Sequence, residues 1–264
     1  EKRFQVHEPN ISAWRRAVCG DLTSAFNFVD PNGEALPSLP ATSRHAADGL
    51  RLRQEQLPQV PLPSPSHQRL PHQRRLARPS RALPYQLHVE ATVAAEQRRV
   101  TLNLFNTGEQ GAVFHVYDRR DLTQIPRRFT VEAGKAVSDD WLAENEYHLW
   151  LLGPNGFHRE LRGALSRPQP EVRLRPTGRS LQLQLNNPGT EAIAVTLERC
   201  PYTQQGPWPI TLPAGGSHQQ AFDARASGGW YDLTLQGTDG WLRRLAGRLE
   251  DGEHSVSDPL MGQG

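Results

Sequence analysis

The sequence predicts a mainly β protein that contains two tandem, small antiparallel β-sandwich domains. Apolar and polar residues alternate repeatedly between residues 85 and 249, and the two halves of that region resemble each other. The chain of 264 residues is only 36% hydrophobic and contains 22 glycines and 22 prolines. That composition suits short strands joined by many turns, and it argues against a helical bundle.

The alternation is clearest in four short segments, each of which predicts one half-buried strand. Leu87–Ala91 and Val100–Leu104 lie in the first half of the region, and Leu181–Leu185 and Tyr231–Leu235 lie in the second. Successive side chains of a strand point to opposite faces of its sheet, so this spacing places one set in a core and the other in water. Such strands are typical of antiparallel sheets.

An internal repeat divides the region into two copies. Leu102–Gly108 aligns with Leu183–Gly189, 81 residues later, and Phe129–Gly134 aligns with Ile210–Gly215 at the same offset. Farther along the offset becomes 84 residues, which one small insertion between strands explains. At that offset six residues have a counterpart of the same type: Tyr147 and Tyr231, Gly153 and Gly237, Gly156 and Gly240, Arg159 and Arg243, Leu161 and Leu245, Gly163 and Gly247. The sequence therefore contains one structural unit twice.

Each copy holds six or seven predicted strands with turn signals between them. Asn155-Gly156 and Asp239-Gly240 predict tight hairpin turns, because these residues tolerate the positive φ angles that such turns need. A copy of about 80 residues with that many strands suits a sandwich of the immunoglobulin-like type. A barrel is the alternative.

Composition divides the chain into five segments. They are residues 1–36, of mixed character with a strand at Ala25–Val29; residues 37–84, a linker; residues 85–167 and 168–250, the two β domains; and residues 251–264, a frayed tail. The linker contains nine prolines, and its proline-free stretch Ala41–Leu57 predicts one short helix. The rest is a stiff linker, or an arm that lies along a neighbouring domain. We expect residues 85–249 to fold without residues 1–84.

Several features limit the classes of partner and compartment. The linker carries eight arginines but no interleaved aromatic residues for base stacking, so nucleic acid is not an expected partner. No stretch approaches the roughly 18 apolar residues of a membrane span. Cys19 and Cys200 fall in different segments and predict buried thiols rather than a disulfide. Because Glu1 is the first residue and Met261 the only methionine, we expect a piece of a longer protein.

No group of residues predicts a catalytic, cofactor-binding or metal site, and we assign none. Phosphate-binding loops, dinucleotide fingerprints, serine elbows and zinc-spaced cysteines are absent from the sequence. His7-Glu8 lacks nearby partners, and His115, His148 and His158 fall on different predicted strands, which favours strand-lining histidines over a metal site. Five tryptophans predict core and rim packing, with an aromatic ligand-binding face as the alternative: Trp141, Trp150, Trp208, Trp230 and Trp241.

Two segments carry a resemblance to a known family. Val6–Phe26 resembles the end of the catalytic domain of bacterial phosphocholine-specific phospholipases C, and Arg78–Tyr85 resembles that family's entry into its C-terminal region. The family also ends in two tandem β domains, so the resemblance covers essentially the whole chain. It implies that residues 1–36 are the C-terminal strip of an α/β phosphoesterase domain related to acid phosphatases. It places the nucleophile and any divalent metal upstream of Glu1, so no site residue transfers to this chain.

The resemblance also implies a function for the parent protein. That parent is a secreted or periplasmic enzyme that hydrolyses phosphatidylcholine or sphingomyelin to phosphocholine and diacylglycerol or ceramide. We expect this chain alone to be inactive, with β domains that serve stability, lipid access or partner binding. The expected partners are its own upstream catalytic domain, a phospholipid membrane surface and a secretion or chaperone partner. Two alternatives stay open: a stand-alone adhesion or ligand-binding tandem, and a decayed gene product.

Overall fold

The structure is a computed structural model that describes residues 38, 43–68, 77–237 and 239–260. The described residues fall into two compact units, one within residues 26–75 and one from residue 76 onward. The expectations for residues 1–36, including the strand at Ala25–Val29 and the thiol of Cys19, lie outside the described residues.

The first unit contains the short helix that the sequence predicted within Ala41–Leu57. Helix α1 spans Arg44–Glu55, and the hydroxyl of Ser43 accepts a hydrogen bond from the backbone N–H of Ala46 (3.3 Å), which caps the helix. A 3-10 helix follows at Pro65–His67. In the described part of the chain, no helix is long and apolar enough to cross a membrane.

The second unit begins with a two-residue strand, β1 (Pro79–Ser80), and continues into a seven-stranded sandwich. The seven strands are β2 (Leu87–Ala94), β3 (Arg99–Asn106), β4 (Ala112–Asp118), β5 (Arg127–Val131), β6 (Lys135–Leu142), β7 (Glu146–Leu152) and β8 (His158–Ala164). One sheet has the order β2-β3-β6, and the facing sheet has the order β8-β7-β4-β5. All neighbours within these sheets are antiparallel.

A second sandwich repeats this arrangement strand for strand. Its strands are β9 (Glu171–Thr177), β10 (Ser180–Asn186), β11 (Ile193–Leu197), β12 (Trp208–Leu212), β13 (Ser217–Asp223), β14 (Trp230–Gly237) and β15 (Leu242–Arg248). The sheet orders are β9-β10-β13 and β15-β14-β11-β12, which are the orders of the first copy. The repeat and the mainly β fold are therefore confirmed. Each copy is an open sandwich of three strands on four, and not a barrel.

Each sandwich has its own core, built from the alternating residues of its strands. Leu102 and Leu104 of β3 have no exposed surface, and neither have their counterparts Leu183 and Leu185 of β10. The residues between them are only half-buried, which is the period-two pattern of a strand with one face in the core. Full burial of each such leucine stabilises the fold by about 1.5–3 kcal/mol.

The two four-stranded sheets join into one sheet of eight strands, because β8 pairs antiparallel with β15. The register places Arg244 opposite Glu160, Arg243 opposite Leu161, and Leu245 opposite Arg159. Residues that are equivalent in the repeat thus face each other across the pair, and the two sandwiches are related by a pseudo-twofold axis at its centre. The repeat in the sequence did not predict this junction, since it gives the strands of each copy but not which edges meet.

Residues 77–86 form an arm that contacts both sandwiches. Strand β1 of the arm pairs with β16 (Ser255–Val256), which follows the second sandwich. Near its other end the carbonyl of Pro84 accepts a hydrogen bond from the backbone N–H of Glu109 (2.9 Å) in the first sandwich. The arm therefore follows the second of the two descriptions given for the linker, a segment that lies along a neighbouring domain.

One boundary prediction, the frayed tail, needs correction. The frayed tail predicted for residues 251–264 does not describe residues 251–260, because β16 pairs with β1 and the backbone N–H of Ser257 donates to the carbonyl of Arg78 (2.7 Å). A polar, glycine-containing segment becomes ordered where another segment supplies backbone partners. That residues 85–249 fold without residues 1–84 stays a prediction, although residues 78–84 contact both sandwiches or the strand that follows them.

The hairpin between β7 and β8 has the predicted turn. Asn155 and Gly156 both have positive φ angles, 53° and 72°, as an Asn-Gly turn of this kind requires. In the second copy Gly240 has a φ of 76°, as predicted for the glycine of its turn.

Candidate functional site

The histidines considered as metal ligands lie on strands, as expected. His115, His148 and His158 occupy β4, β7 and β8 at positions that alternate with the core residues. The Nε2 of His148 lies 2.7 Å from Glu160 Oε1, and the ring of His158 contacts that of Trp150 edge-on. Burial lowers the pKa of His158 and of His115. The described residues include no group of three or more histidine, cysteine or acidic side chains arranged to hold a metal ion.

The tryptophans pack rather than form an open aromatic face. Trp141, Trp230 and Trp241 are buried, and the indole N–H of Trp230 donates to the carbonyl of Val256 (3.0 Å). Trp150 and Trp208 are half-buried. The packing interpretation is therefore confirmed for the three buried side chains.

Cys200 is a buried free thiol, as the sequence predicted. Burial raises its pKa to about 11, so the thiol stays protonated at neutral pH. A protonated, inaccessible thiol does not serve as a nucleophile.

A cleft of about 490 Å³ opens between the two sandwiches. Three parts of the unit line it: the arm through Tyr85, the first sandwich through Phe157 and Arg159, and the second through Leu181 and Tyr231. Its volume falls within the range of about 300–1,000 Å³ that small-ligand sites occupy. Interfaces between domains are a usual place for such sites, which makes this cleft the candidate functional site.

Two buried arginine–tyrosine pairs hold the sandwiches together, and one of them lines the cleft. Arg159 donates from Nη2 to the hydroxyl of Tyr231 (2.9 Å), and Arg243 donates from Nη2 to the hydroxyl of Tyr147. Each arginine thus bonds a tyrosine of the other sandwich, and the two pairs are equivalent in the repeat. Both arginines are only 4% exposed, and the guanidinium of Arg159 also lies 4.1 Å from the ring centroid of Phe157.

The guanidinium of Arg159 has unused donors. Its Nη1 donates to the carbonyls of His158 (2.8 Å) and Ala246 (2.7 Å), and its Nη2 donates to Tyr231. The Nε–H and the second Nη2–H have no acceptor within the described residues, and no carboxylate of those residues forms an ion pair with the group. A positive charge therefore lies buried on the wall of the cleft, and no carboxylate in the described part of the chain pairs with it.

A buried ion pair at the same cleft connects the arm with both sandwiches. The carboxylate of Glu250 receives hydrogen bonds from the guanidinium of Arg248, from Asn155 Nδ2 (2.6 Å) and from the backbone N–H of Leu83 (3.2 Å). The side chains of Arg248 and Glu250 are 1% and 7% exposed. Glu250 therefore ties the end of β15 to the β7–β8 hairpin and to the arm.

The charges along the cleft leave Arg159 as its unneutralised cation. Burial, together with the charges of Arg159 and Arg175, lowers the pKa of His88 to about 4, so His88 is neutral at pH 7. Arg179 pairs with Asp251 (3.1 Å). Among the described lining residues, Arg159 is the cation without a carboxylate partner. This arrangement is suited to binding a group with negative oxygen atoms.

No site residue was predicted from the sequence, and neither Arg159 nor Tyr231 was identified as functional. The signal was present in the repeat, where both have a counterpart of the same type. Arg159 also stands between Phe157 and Leu161 at the inward-facing parity of its strand, and Arg243 does the same in the second copy. An arginine at an inward position of both copies indicates a buried cation that needs partners from elsewhere.

Comparison with known proteins places this unit in one family. Residues 79–164 and 168–248 match the sequence profile described as "Bacterial phospholipase C, C-terminal domain". The two matches end at Ala164 and Arg248, which are the last residues of β8 and β15. Each match thus ends with one sandwich.

Three curated bacterial proteins are similar along nearly the whole chain. Non-hemolytic phospholipase C of Pseudomonas aeruginosa is 44% identical over 100% of this chain, and the protein of the same name from Burkholderia pseudomallei is 38% identical over 98%. Hemolytic phospholipase C of Pseudomonas aeruginosa is 35% identical over 99%. The chain spans only 40%, 38% and 40% of their respective lengths. With both sandwiches matched, the chain belongs to the family of bacterial phospholipase C C-terminal domains.

Proposed function

We propose that this chain is the C-terminal region of a phospholipase C and that its β unit is accessory to a catalytic domain encoded upstream. The observation that carries the proposal is the match of the whole chain to about 40% of proteins named phospholipase C. The described residues supply a cleft, and they include no group of three or more histidine, cysteine or acidic side chains that could hold a metal ion. The resemblance of Val6–Phe26 to the end of a phosphoesterase domain supports an upstream origin of the chemistry.

The proposed parent reaction is hydrolysis of phosphatidylcholine or sphingomyelin to phosphocholine and diacylglycerol or ceramide. A divalent metal in the upstream domain and a secreted or periplasmic location stay predictions of the family resemblance. A phospholipid surface and a secretion or chaperone partner stay predictions as well. Among the tryptophans of residues 77–260, Trp141, Trp230 and Trp241 are buried and therefore do not supply a membrane contact, so the upstream domain is the partner we favour.

The proposed role of the β unit is to hold that upstream domain in place and stabilise it. The junction of β8 with β15 and the buried arginine–tyrosine pairs support this role, because they join the two sandwiches through a shared sheet and through buried hydrogen bonds. The arm supports it too, since the chain arriving from upstream is fixed at Pro84 to one sandwich and at Leu83 to Glu250. A catalytic domain that precedes the arm thereby has a defined point of attachment.

The test compares this chain with a longer polypeptide that includes the upstream region. Hydrolysis of phosphatidylcholine and of p-nitrophenylphosphorylcholine is measured for both. We expect turnover by the longer polypeptide and none by the chain alone. Turnover by the chain alone that one substitution within residues 77–260 abolishes would contradict the proposal.

The second candidate, a ligand-binding tandem with no enzymatic parent, is favoured by the cleft beside Arg159. The same comparison separates the two. A longer polypeptide without hydrolase activity on either substrate supports the ligand-binding tandem. Removal of residues 77–264 from an active longer polypeptide tests the accessory role, and we expect it to lower the temperature at which the enzyme loses activity.

A further inference from the structure

The pseudo-twofold axis allows the two halves of the interface to be compared directly. In the half that contains Arg243 and Tyr147, the side chain of Gln169 fills the space beside the pair. The hydroxyl of Tyr147 donates to Gln169 Oε1, and Arg243 Nη2 lies 3.5 Å from the same oxygen. The amide of Gln169 is anchored in turn, because its Nε2 donates to the carbonyl of Ala164 (2.6 Å). An oxygen acceptor therefore completes this half.

The other half has no such oxygen among the described residues. The position equivalent to Gln169, 84 residues later, is Glu253. Its side chain is exposed, and its peptide carbonyl accepts a hydrogen bond from Arg248 Nη2 (3.2 Å) instead. Where Gln169 Oε1 stands in the first half, the second half has the cleft, with Arg159 and Tyr231 on its wall.

We propose that this cleft binds a small organic anion, and that a carboxylate or phosphate oxygen of the ligand occupies on Arg159 and Tyr231 the place that Gln169 Oε1 occupies on the equivalent pair. Hydrogen bonds between a guanidinium and an anionic oxygen are charge-assisted and favour a bidentate fork, for which the Nε–H and the second Nη2–H are available. The proposal is independent of the proposed phospholipase function.

The surroundings of the guanidinium favour an anion over a neutral acceptor. Gln169 is neutral, but the cleft is large enough for a molecule rather than one side chain. The carboxylates of Glu250, Asp251 and Glu253 also line the cleft, but Glu250 and Asp251 pair with Arg248 and Arg179, and none of the three forms an ion pair with Arg159. The pKa of His88, lowered to about 4 by burial and then by the charges of Arg159 and Arg175, is consistent with a positive field in this region. An anion gains from that field because burial weakens the screening by water.

The apolar part of the lining indicates the rest of the ligand. The walls carry aliphatic and aromatic side chains from both sandwiches: Leu87, Pro154, Phe157, Leu174, Leu181 and Leu249. These side chains suit a short hydrocarbon or aromatic body attached to the anionic group. A bare inorganic ion would leave most of this surface without a contact.

The first experiment is isothermal titration of the full 264-residue chain with four probes. The probes are sodium hexanoate, phenyl phosphate, inorganic phosphate and the neutral isostere hexanamide. We expect saturable 1:1 binding of hexanoate or phenyl phosphate, and at least about tenfold weaker binding of hexanamide because it lacks the charge. A preference for hexanoate identifies a carboxylate as the bound group, and a preference for phenyl phosphate identifies a phosphate. Comparison of phenyl phosphate with inorganic phosphate shows whether the site prefers a phosphate ester or the free ion. Failure of both organic anions to bind, or equal binding of hexanamide, overturns the proposal.

The second experiment uses the equivalent pair as a matched control. Tyr231→Phe removes one hydroxyl at the cleft and should weaken the organic anion about tenfold, whereas Tyr147→Phe removes the equivalent hydroxyl at the filled half and should leave the affinity within about twofold. Equal weakening by both variants would overturn the assignment.

A third measurement follows Arg159 itself in the native chain by NMR. The signal of its Nε–H is assigned as the one that disappears in the variant Arg159→Lys. That signal must shift on saturation with the anion, and an unmoved signal overturns the proposal.

Discussion

Replacement of Glu250 by alanine should cause a large loss of stability, because it leaves a buried positive charge. The Arg248 side chain is 1% exposed, and its ion-pair partner Glu250 is 7% exposed. After Glu250→Ala, the guanidinium keeps only the carbonyls of Gly228 and Glu253, each at 3.2 Å. Removal of one partner of a buried ion pair costs about 3–5 kcal/mol.

Two further donors lose their acceptor in the same variant. They are Asn155 Nδ2 and the backbone N–H of Leu83, and each unsatisfied donor adds about 1 kcal/mol or more where water does not reach it. Glu250 lines the cleft, however, so water entering there offsets part of the loss. We therefore expect a decrease of about 3 kcal/mol in the free energy of unfolding, at the lower end of the range for buried pairs.

The measurement is urea unfolding of both proteins at pH 7, with linear extrapolation of the free energy of unfolding to water. Thermal unfolding should show a decrease in Tm of about 6–12 °C for a unit of this size. The matched control is Glu132→Ala, which breaks an exposed pair with Lys135 and should change stability by less than about 0.5 kcal/mol. A double variant, Arg248→Met with Glu250→Leu, should lose less than Glu250→Ala because it leaves no unpaired charge. A loss below about 1 kcal/mol for Glu250→Ala would refute the reasoning.

Three other predictions concern stability. Gly108→Ala should lower the free energy of unfolding in urea by about 1–3 kcal/mol, because the added Cβ would lie 2.3 Å from a backbone carbonyl oxygen of the arm. Gly189→Ala should cost less, because the nearest atom to its Cβ would be a side-chain oxygen at 3.2 Å. Equal losses in the two variants would contradict a tight contact between Gly108 and the arm. The pKa of His88 falls from 6.5 to about 4 on folding, so between these pH values the unfolded chain binds a proton at His88 and the folded chain does not. The free energy of unfolding should therefore decrease as the pH falls from 6.5 to about 4. His88→Gln should make this decrease smaller, and an unchanged pH profile would refute the shift. A chain of residues 77–260 should unfold at a higher temperature than one of residues 85–249, because only the longer chain has the β1–β16 pair, and equal Tm values would show that the arm contributes nothing.

The fold was predictable where the information is local. The alternation at Leu102 and Leu104 gives the strand and its buried face from the period of the backbone alone, and the same pattern at Leu183 and Leu185 gives the second copy. The turn at Asn155 was likewise predictable, because few residue types tolerate its φ angle. These features depend on residues next to each other in the sequence.

The features that were missed depend on contacts between distant segments. The pairing of Ser255–Val256 with Pro79–Ser80 joins two segments that are polar or proline-containing and carry no strand pattern of their own. The junction of β8 with β15 required knowledge of which sheet edges are free, and each edge strand has the same alternation as an interior strand. The cleft follows from that junction, so no site residue was assigned, although the paired Arg159 and Arg243 were visible in the repeat.

The open cleft has a simple origin in the connectivity of a duplicated domain. The pseudo-twofold axis creates two equivalent half-interfaces, but one segment, residues 165–170, connects β8 with β9. That segment lies beside the half-interface that contains Arg243, and its Gln169 side chain contacts Arg243 there. After β15 no further sandwich follows among the described residues, and the chain turns away to pair with the arm, so Glu253 does not reach Arg159.

Connectivity explains the space but not the charge within it. An apolar side chain at position 159 would be compatible with an empty by-product of duplication, and it would avoid the cost of burying a guanidinium without a counter-ion, which is several kcal/mol. The carbonyls of His158 and Ala246 and the hydroxyl of Tyr231 offset part of that cost, but two N–H donors of Arg159 have no acceptor among the described residues. A ligand with an anionic oxygen supplies the missing acceptor and the missing charge together. Gln169 fills the first of the two equivalent half-interfaces, whereas Glu253 leaves the second one open. The second half-interface is therefore suited to bind a ligand with an anionic oxygen.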